Sequence, residues 1–343
     1  MPRYESTLAK KTSALKEDLA RIPGVSLFPH IHPSSFENGY RNRAKFKIFA
    51  KDSGPALYGT DPVKGEVQAG EMLWILPDWG RAVVEESFQL IRRKYSEYPV
   101  DGFELQLTHG GRKAHIALSV NKKHRFNYAD LTEELLQTIP ALLGIAVPSH
   151  KFEAGESFLP HIILDKPFFS HYSCFFQSNL KLTPALLESA VAMLEGRRFA
   201  GVCDLYCGVG LFCLMLGEKA APILGIDSHP QAISSARSNA QRLGFRQTGF
   251  ICSDVQNYLS ETEISAGGLL ILDPPRTGCP SCVLKKVVRS DPEYILMVSC
   301  FWDTQIRDLA VMRKSGFAVI ALAAFDMFPY TRFLETMALL RRK

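Results

Sequence analysis

Cys300 closes the apolar run YILMVSC, Asp273 closes the run LLILD, and Glu335 stands immediately before the apolar stretch TMALL. A thiol at a strand tip, just ahead of a helix, is partly exposed and close to backbone N–H groups that stabilise thiolate and lower its pKa. That is a nucleophile's setting, although a small apolar residue at a strand end reads the same way. Asp273 is followed by Pro274 and Pro275, which fix the backbone beyond it. A carboxylate at such a tip is costly without a partner or a task, so it either serves a ligand or caps the next helix. Glu335 is a candidate general base, or a charge that merely flanks a strand. A cofactor site accompanies them. In DLYCGVG, Asp204 to Gly210, two glycines let the backbone turn tightly between a short apolar run and an apolar helix. Nineteen residues after Gly208, PILGID ends in Asp227, an acid placed to hold ribose hydroxyls. The third glycine of a phosphate-cradling GxGxxG would fall at Cys213. A cofactor with ribose and adenine but no pyrophosphate fits better, and S-adenosylmethionine is the obvious candidate. Such a cofactor with a thiolate and a base defines one reaction. A pyrimidine C5 is too weak a nucleophile to take a methyl group directly. Thiolate addition at C6 makes C5 enolate-like, C5 takes the methyl, and a base removes the C5 proton so that the thiolate can leave.

The elements that must position these residues form a regular series from Thr183 onward. A helix begins at Thr183 and Pro184, with Leu187, Val191 and Leu194 on its face. Strands follow at 201–205, 223–227, near 249–252 (ending at Asp254), at 269–273 and at 294–300, with helices between them, and the runs 317–323 and 336–340 close the chain. Apolar strands alternating with helices imply a parallel sheet covered on both faces. The first half reads differently. Residues 5–22 suit an amphipathic helix with Leu8, Leu15, Leu19 and Ile22 on one face and the basic residues off it. A second helix fits 82–95, on Val84, Phe88, Ile91 and Tyr95, and a third fits Leu131 to Leu143. A hairpin runs from Phe103 to Val120 and turns at Gly110 and Gly111. The fold expected is therefore α/β, with an α+β region over 1–170 and a doubly wound domain over 171–343.

The stretch RNRAKFKIFA alternates: Ala44, Phe46 and Ile48 point one way, and Arg41, Arg43, Lys45 and Lys47 point the other. Four cations on one strand face suit a phosphate backbone, against the alternative of plain solvation. NKKHRFNY, Asn121 to Tyr128, mixes basic and aromatic residues in the manner of phosphate contact plus base stacking, or of a polar loop. With 343 residues, 46% of them hydrophobic, the chain has room for two cored domains, and its net charge of +5 permits an anionic partner without demanding one. No apolar segment opens the chain, and Phe317–Phe325 is too short to span a bilayer, so a soluble, cytoplasmic monomer is expected. Eight cysteines occur, none before Cys174; the pair Cys279 and Cys282 has no partner pair at zinc-site spacing, so no metal is expected.

DLYCGVG, DPPRTG, VSC and FPYTRFLET, in this order and spacing, together with FFQSN from Phe175 and YRNRAKFKI from Tyr40, resemble the RNA uracil-C5 methyltransferases, which make 5-methyluridine in tRNA and 23S ribosomal RNA. The resemblance spans residues 40 to 343. It implies a Rossmann-like class I methyltransferase domain preceded by an RNA-binding region, Cys300 as nucleophile, Glu335 as base, and Gln177, Tyr206, Asp227 and Asp273 in contact with S-adenosylmethionine. Asp254, from its strand tip, is a further candidate for the adenine amine. The chain departs from the family pattern at Phe301 and Trp302, where SCNP is usual, at Arg332 and Phe333, where two histidines are frequent, and at Leu211, where a polar residue is. Phe301 or Trp302 is placed to stack on an extruded base. Neither an iron–sulfur cluster nor an extra β-barrel is expected, which is similar to the tRNA enzyme, whereas FDMFP and GVGLF are more similar to the shorter ribosomal RNA enzymes. Two other readings compete. A cytosine-C5 enzyme would need a cysteine where Arg276 stands, and an adenine-N6 enzyme an aromatic residue there. A non-catalytic RNA-binding or RNA-folding protein could keep the scaffold, and SCFW is its best support.

Overall fold

Two hydrophobic cores organise the chain. The computed structural model describes every residue except 1–3, 23, 26–27, 35–36, 62–63, 95, 97–98, 124–126, 218–221, 265–267 and 291. One compact unit comprises Met1–Ser35, Cys174–Phe176 and Lys181–Lys343, and the other Phe36–Ser173 and Gln177–Leu180. These compact units differ from the expected division into 1–170 and 171–343 in placing Met1–Ser35 with the carboxyl-terminal residues. The helix Tyr4–Ala20 buries Leu15 and Leu19, with Ile22 just beyond it, in the same core as Leu272, Met297 and Leu340. Each such aliphatic burial is worth roughly 1.5–3 kcal/mol, enough to assign the helix to that unit. The strand His30–His32 then pairs in parallel with Phe317–Phe325.

The carboxyl-terminal unit is built on an eight-stranded sheet. Val202–Leu205, Ile223–Asp227, Thr248–Cys252, Leu269–Leu272 and Tyr294–Ser299 are mutually parallel, as the apolar runs imply. Glu335–Arg342 is the exception: it runs antiparallel between Tyr294–Ser299 and Phe317–Phe325. Helices intervene between the parallel strands, among them Leu211–Leu216, Pro230–Arg242, Ser281–Arg289 and Trp302–Lys314. Leu269–Leu272 and Tyr294–Ser299 are buried throughout, the pattern of strands covered on both faces.

The other unit carries a seven-stranded sheet. Gly102–Leu107 and Ala114–Ser119 form the expected hairpin, although the link between them is six residues long rather than a two-residue turn. Asp78–Arg93 buries Val84 and Ile91; Tyr95, assigned to that face, lies outside the described residues. The third helix ends at Thr138, and Leu142 and Leu143, read as its end, open the strand Leu142–Val147. Of the basic–aromatic stretch 121–128, residues 124–126 lie outside the described residues. Among the described residues, no helix is long and apolar enough to cross a membrane, and no group of three His, Cys, Asp or Glu side chains is arranged to hold a metal.

Candidate active site

Sheet direction brings the chemistry to one edge. Asp204 and Asp227 lie at the carboxyl ends of their parallel strands; Asp273 and Cys300 directly follow theirs. Because Glu335–Arg342 runs the opposite way, its first residue falls at that same edge. Ser299 pairs with Thr336, so Cys300 and Glu335 are the next residues on the two strands of one antiparallel ladder. Thr336 Oγ1 donates to the carbonyl of Ser299 at 3.2 Å, and Gln305 Nε2 donates to the carbonyls of Met297 and Thr336 at 3.1 and 3.3 Å, which pins the ladder at this end.

The electrostatics correct the expectation of a thiol with a lowered pKa. Burial pushes the Cys300 thiol up to about 11, the carboxylates of Glu335 and Asp273 add to the rise, and only Arg276 opposes it, by charge and by hydrogen bonding. Helix N–H groups do not decide the matter; desolvation and two acids outweigh them. Glu335, 3% exposed, is raised well above the usual carboxylate range by burial and by Asp273, again with Arg276 opposing. Burial raises Asp273 to about 7. Around this pair, Arg276 lies 4.5 Å from the Phe333 ring centre, Arg332 lies 5.2 Å from that of Phe301, and the Phe301 and Phe333 rings meet edge-on at 5.9 Å. The departures from the family pattern at 301, 332 and 333 are thus one contact cluster. Trp302, by contrast, is buried and donates its Nε1–H to Asp18, so of the two aromatic candidates only Phe301 remains available to a base.

The glycine turn is tied by Asp227, whose Oδ2 accepts from the N–H of Gly208 at 2.9 Å and whose Oδ1 accepts from that of His229 at 2.8 Å. Tyr206 holds φ +76°, a region costly for a bulky side chain, beside glycines at +53° and +83°. Asp254 caps the helix Val255–Glu261 by accepting from Gln256 and Asn257, and is exposed. Sequence reasoning passed over Asp204. It is 1% exposed, burial and the charges of Asp273 and Asp227 push it up to about 8, and its Oδ1 has no hydrogen-bond partner among the described residues. An acid inside the otherwise apolar VCDL was the signal. Asp204, with its orphaned oxygen, thus stands close enough to Asp273 and Asp227 to feel both charges, beside a turn where a Cβ on Gly208 would meet nothing within 4 Å. Arg276, also overlooked, follows the two prolines directly, where its type alone gave no indication.

The remaining candidates lie in the other unit. Gln177 is buried there, and its carbonyl accepts from Asn42 Nδ2 at 3.0 Å. Ala44, Phe46 and Ile48 are buried as expected, and the odd positions of that strand face outward. Their charges are partnered: Arg43 and Lys45 both pair with Glu104, and Lys47 pairs with Glu66 at 2.7 Å. Arg41 bridges to Asn179 through the backbone. A cavity of about 240 Å³ opens beside Arg43 and Glu104, lined also by Gln106, His115 and Tyr172, whose rings stack at 4.5 Å for the latter pair.

Known proteins similar to this chain are methyltransferases. Residues 200–271 match a family model described as a methyltransferase domain, and residues 259–343 match tRNA (uracil-5-)-methyltransferase. An uncharacterised RNA methyltransferase of Streptococcus agalactiae is 30% identical over 64% of this chain and 51% of its own length. The 23S rRNA (uracil(1939)-C(5))-methyltransferase of Aeromonas hydrophila is 34% identical over 49% of this chain and 39% of its own length. The matched stretch is thus about two fifths to one half of these relatives. The crystal structure of Pyrococcus abyssi tRNA (uracil-54, C5)-methyltransferase in complex with S-adenosyl-L-homocysteine superposes with a TM-score of 0.78, covering 98% of this chain and 83% of that one at 22% identity, and establishes the class I methyltransferase fold.

Proposed function

We propose that this chain, a relative of the RNA uracil-C5 methyltransferases, transfers a methyl group from S-adenosylmethionine to C5 of a uridine in 23S ribosomal RNA or tRNA through a covalent bond between Cys300 and C6 of the base. The observation that carries this reading is the placement of Cys300 and Glu335 side by side on one antiparallel ladder, at the edge where Asp204, Asp227 and Asp273 also end. The cofactor supplies an electrophilic methyl on a cationic sulfur. Asp204 and Asp227, with Tyr206 and the Gly208 turn, are the groups of this unit that would hold it, and Asp254 is a further candidate.

The chain's own contribution is control of protons. In the resting site burial favours the protonated form of both Cys300 and Glu335, and the carboxylate of Asp273 adds to both shifts. A positive charge held near Asp204 and Asp227 would favour the ionised forms of the neighbouring acids and thiol. The Cys300 sulfur then bonds to C6, C5 takes the methyl group, and ionised Glu335 removes the C5 proton so that the C5–C6 double bond re-forms and the sulfur departs. Arg276 stabilises the sulfur's charge at the start and at the end. Phe301 offers the extruded base a ring to stack on.

Incubation of the protein with labelled S-adenosylmethionine and unmodified tRNA and 23S ribosomal RNA transcripts, followed by nucleoside analysis, tests the proposal. Label in 5-methyluridine is expected. Label in another nucleoside would point to a different target base, and tight RNA binding without label would favour the scaffold-only reading, for which the crowding of Phe301, Arg332 and Phe333 beside the thiol is the supporting feature.

A further inference from the structure

The helix Tyr4–Ala20 lies ahead of the sequence motifs that resemble a known family, and the chemistry proposed above does not use it. Its basic residues were expected on the solvent side, yet Lys11 is 3% exposed. Lys11 Nζ donates to Asp326 Oδ1 at 2.5 Å and to the main-chain carbonyls of Phe328 and Phe333 at 2.9 Å each. An ammonium group has three donors, and all three are spent on the segment 326–333 that leads into Glu335. Two turns further along the same helix, Asp18 Oδ2 accepts from Trp302 Nε1 at 3.1 Å, and Trp302 stands two residues after Cys300. Tyr4, in the first turn, sets its ring edge-on to Tyr330 at 5.9 Å.

A lysine present only to neutralise Asp326 would need one of these bonds. The other two hold backbone, at both ends of a loop in which Thr331 donates to the Phe328 carbonyl from its N–H and its hydroxyl, and accepts from Phe333. One rigid helix thus grips the loop before the carboxylate and the helix start after the thiol.

We propose that the helix Tyr4–Ala20 is a clasp that sets the separation of Cys300 and Glu335, with Lys11 and Asp18 as positioning residues. The proposal rests on the reading of Cys300 and Glu335 as the reacting pair. Docking the helix completes the site, and loosening it frees the loop 326–333 that leads into Glu335, while the glycine turn and Asp227, to which no bond from the helix is seen among the described residues, stay as they are.

Lys11→Met alone would leave Asp326 buried and unpaired, so the test uses Lys11→Met/Asp326→Leu, which removes both charges and keeps the bulk. Trp302→Phe, which loses only the indole N–H, is the second variant and reports on the clasp by itself if the first fails to fold. In folded variants, S-adenosylmethionine affinity by calorimetry is expected to stay within about twofold of wild type. kcat for methyl transfer should fall about tenfold or more with little change in KM, and iodoacetamide should alkylate Cys300 at pH 8 about threefold faster relative to Cys252 and Cys282. Wild-type kcat together with an unchanged Cys300 alkylation rate in a folded variant would overturn the clasp. The alkylation readout needs no RNA, so a wild-type protein that methylates nothing would refute the proposed function and still leave the clasp testable by this measure.

Discussion

Arg276→Gln probes the balance that sets the Cys300 sulfur. The thiol stands at about 11, raised by burial, Glu335 and Asp273, and Arg276 is the group among those acting on it that favours thiolate. At pH 8 a thiol of that pKa is thiolate in roughly one molecule in a thousand. A hydrogen bond to a charged partner is worth about 1.5–3 kcal/mol when dry. Arg276 is exposed, so water and salt screen it, and about 1 kcal/mol is the appropriate allowance. That corresponds to roughly a fivefold fall in thiolate fraction. Iodoacetamide reacts with the thiolate, so the Cys300 peptide, followed by mass spectrometry, should be alkylated about fivefold more slowly in the variant. The exposed Cys252 and Cys282 serve as internal standards for reagent and handling. Raising the ionic strength should shrink the difference between variant and wild type, because the charge part of the effect is screened. An unchanged or faster Cys300 rate relative to those standards would refute the assignment of Arg276 as the thiolate's counter-charge.

Three further outcomes follow from the same geometry. Cys300→Ala should show neither methyl transfer nor a covalent RNA complex, whereas Glu335→Gln should methylate C5 and then stall as an RNA–protein band that survives denaturing electrophoresis; normal turnover by Glu335→Gln would reject its role as base. Glu104→Gln frees Arg43 and Lys45 from their shared partner, so RNA binding should strengthen and its logarithmic salt slope steepen by about one, with Lys45→Gln doing the reverse; identical slopes in all three proteins would remove this face from the RNA interface. Burial pushes His109 and His115 down to about 3, so the folded unit 36–173 binds fewer protons than the unfolded chain between that value and the ordinary histidine value near 6.5. Its stability is therefore fully present above about pH 6.5 and is lost as pH falls, at about 1.4 kcal/mol per pH unit for each histidine. A urea midpoint that stays constant from pH 7 to pH 5 would contradict this.

The strands of the catalytic sheet were legible because their burial on both faces leaves nearly unbroken apolar runs, as in LLIL and YILMVS. The amino-terminal unit was less so. Leu142–Val147 carries no alternation, and Gly144 packs its Cα against the backbone of Glu156, a contact that becomes visible only when the strands are assembled. Phe152–Gly155, Phe158–Ile163 and Lys166–His171 are short, half-exposed strands whose polar and apolar residues do not sort cleanly by face. The direction of Glu335–Arg342 was equally hidden, because a buried strand reads the same whichever way it runs.

The candidate site shows the same boundary at finer grain. Strand ends are a local property, so Asp227, Asp273, Cys300 and Glu335 could be picked from the sequence. The charge state of Cys300 is not local: it depends on whether burial and two carboxylates outweigh one guanidinium, and those groups come from two other segments of the chain, 273–276 and the start of the last strand. Proximity to a helix start argued for thiolate, and desolvation reverses the sign. Lys11 is the extreme case. Its residue type suggests a surface cation, although its spacing from Leu8 and Leu15 puts it on the apolar face, and its partners lie 315 to 322 residues away. Only the antiparallel insertion of the last strand brings Glu335 and its loop back to the edge where Cys300 ends, and that single reversal makes both the thiol–carboxylate pair and the lysine clasp possible.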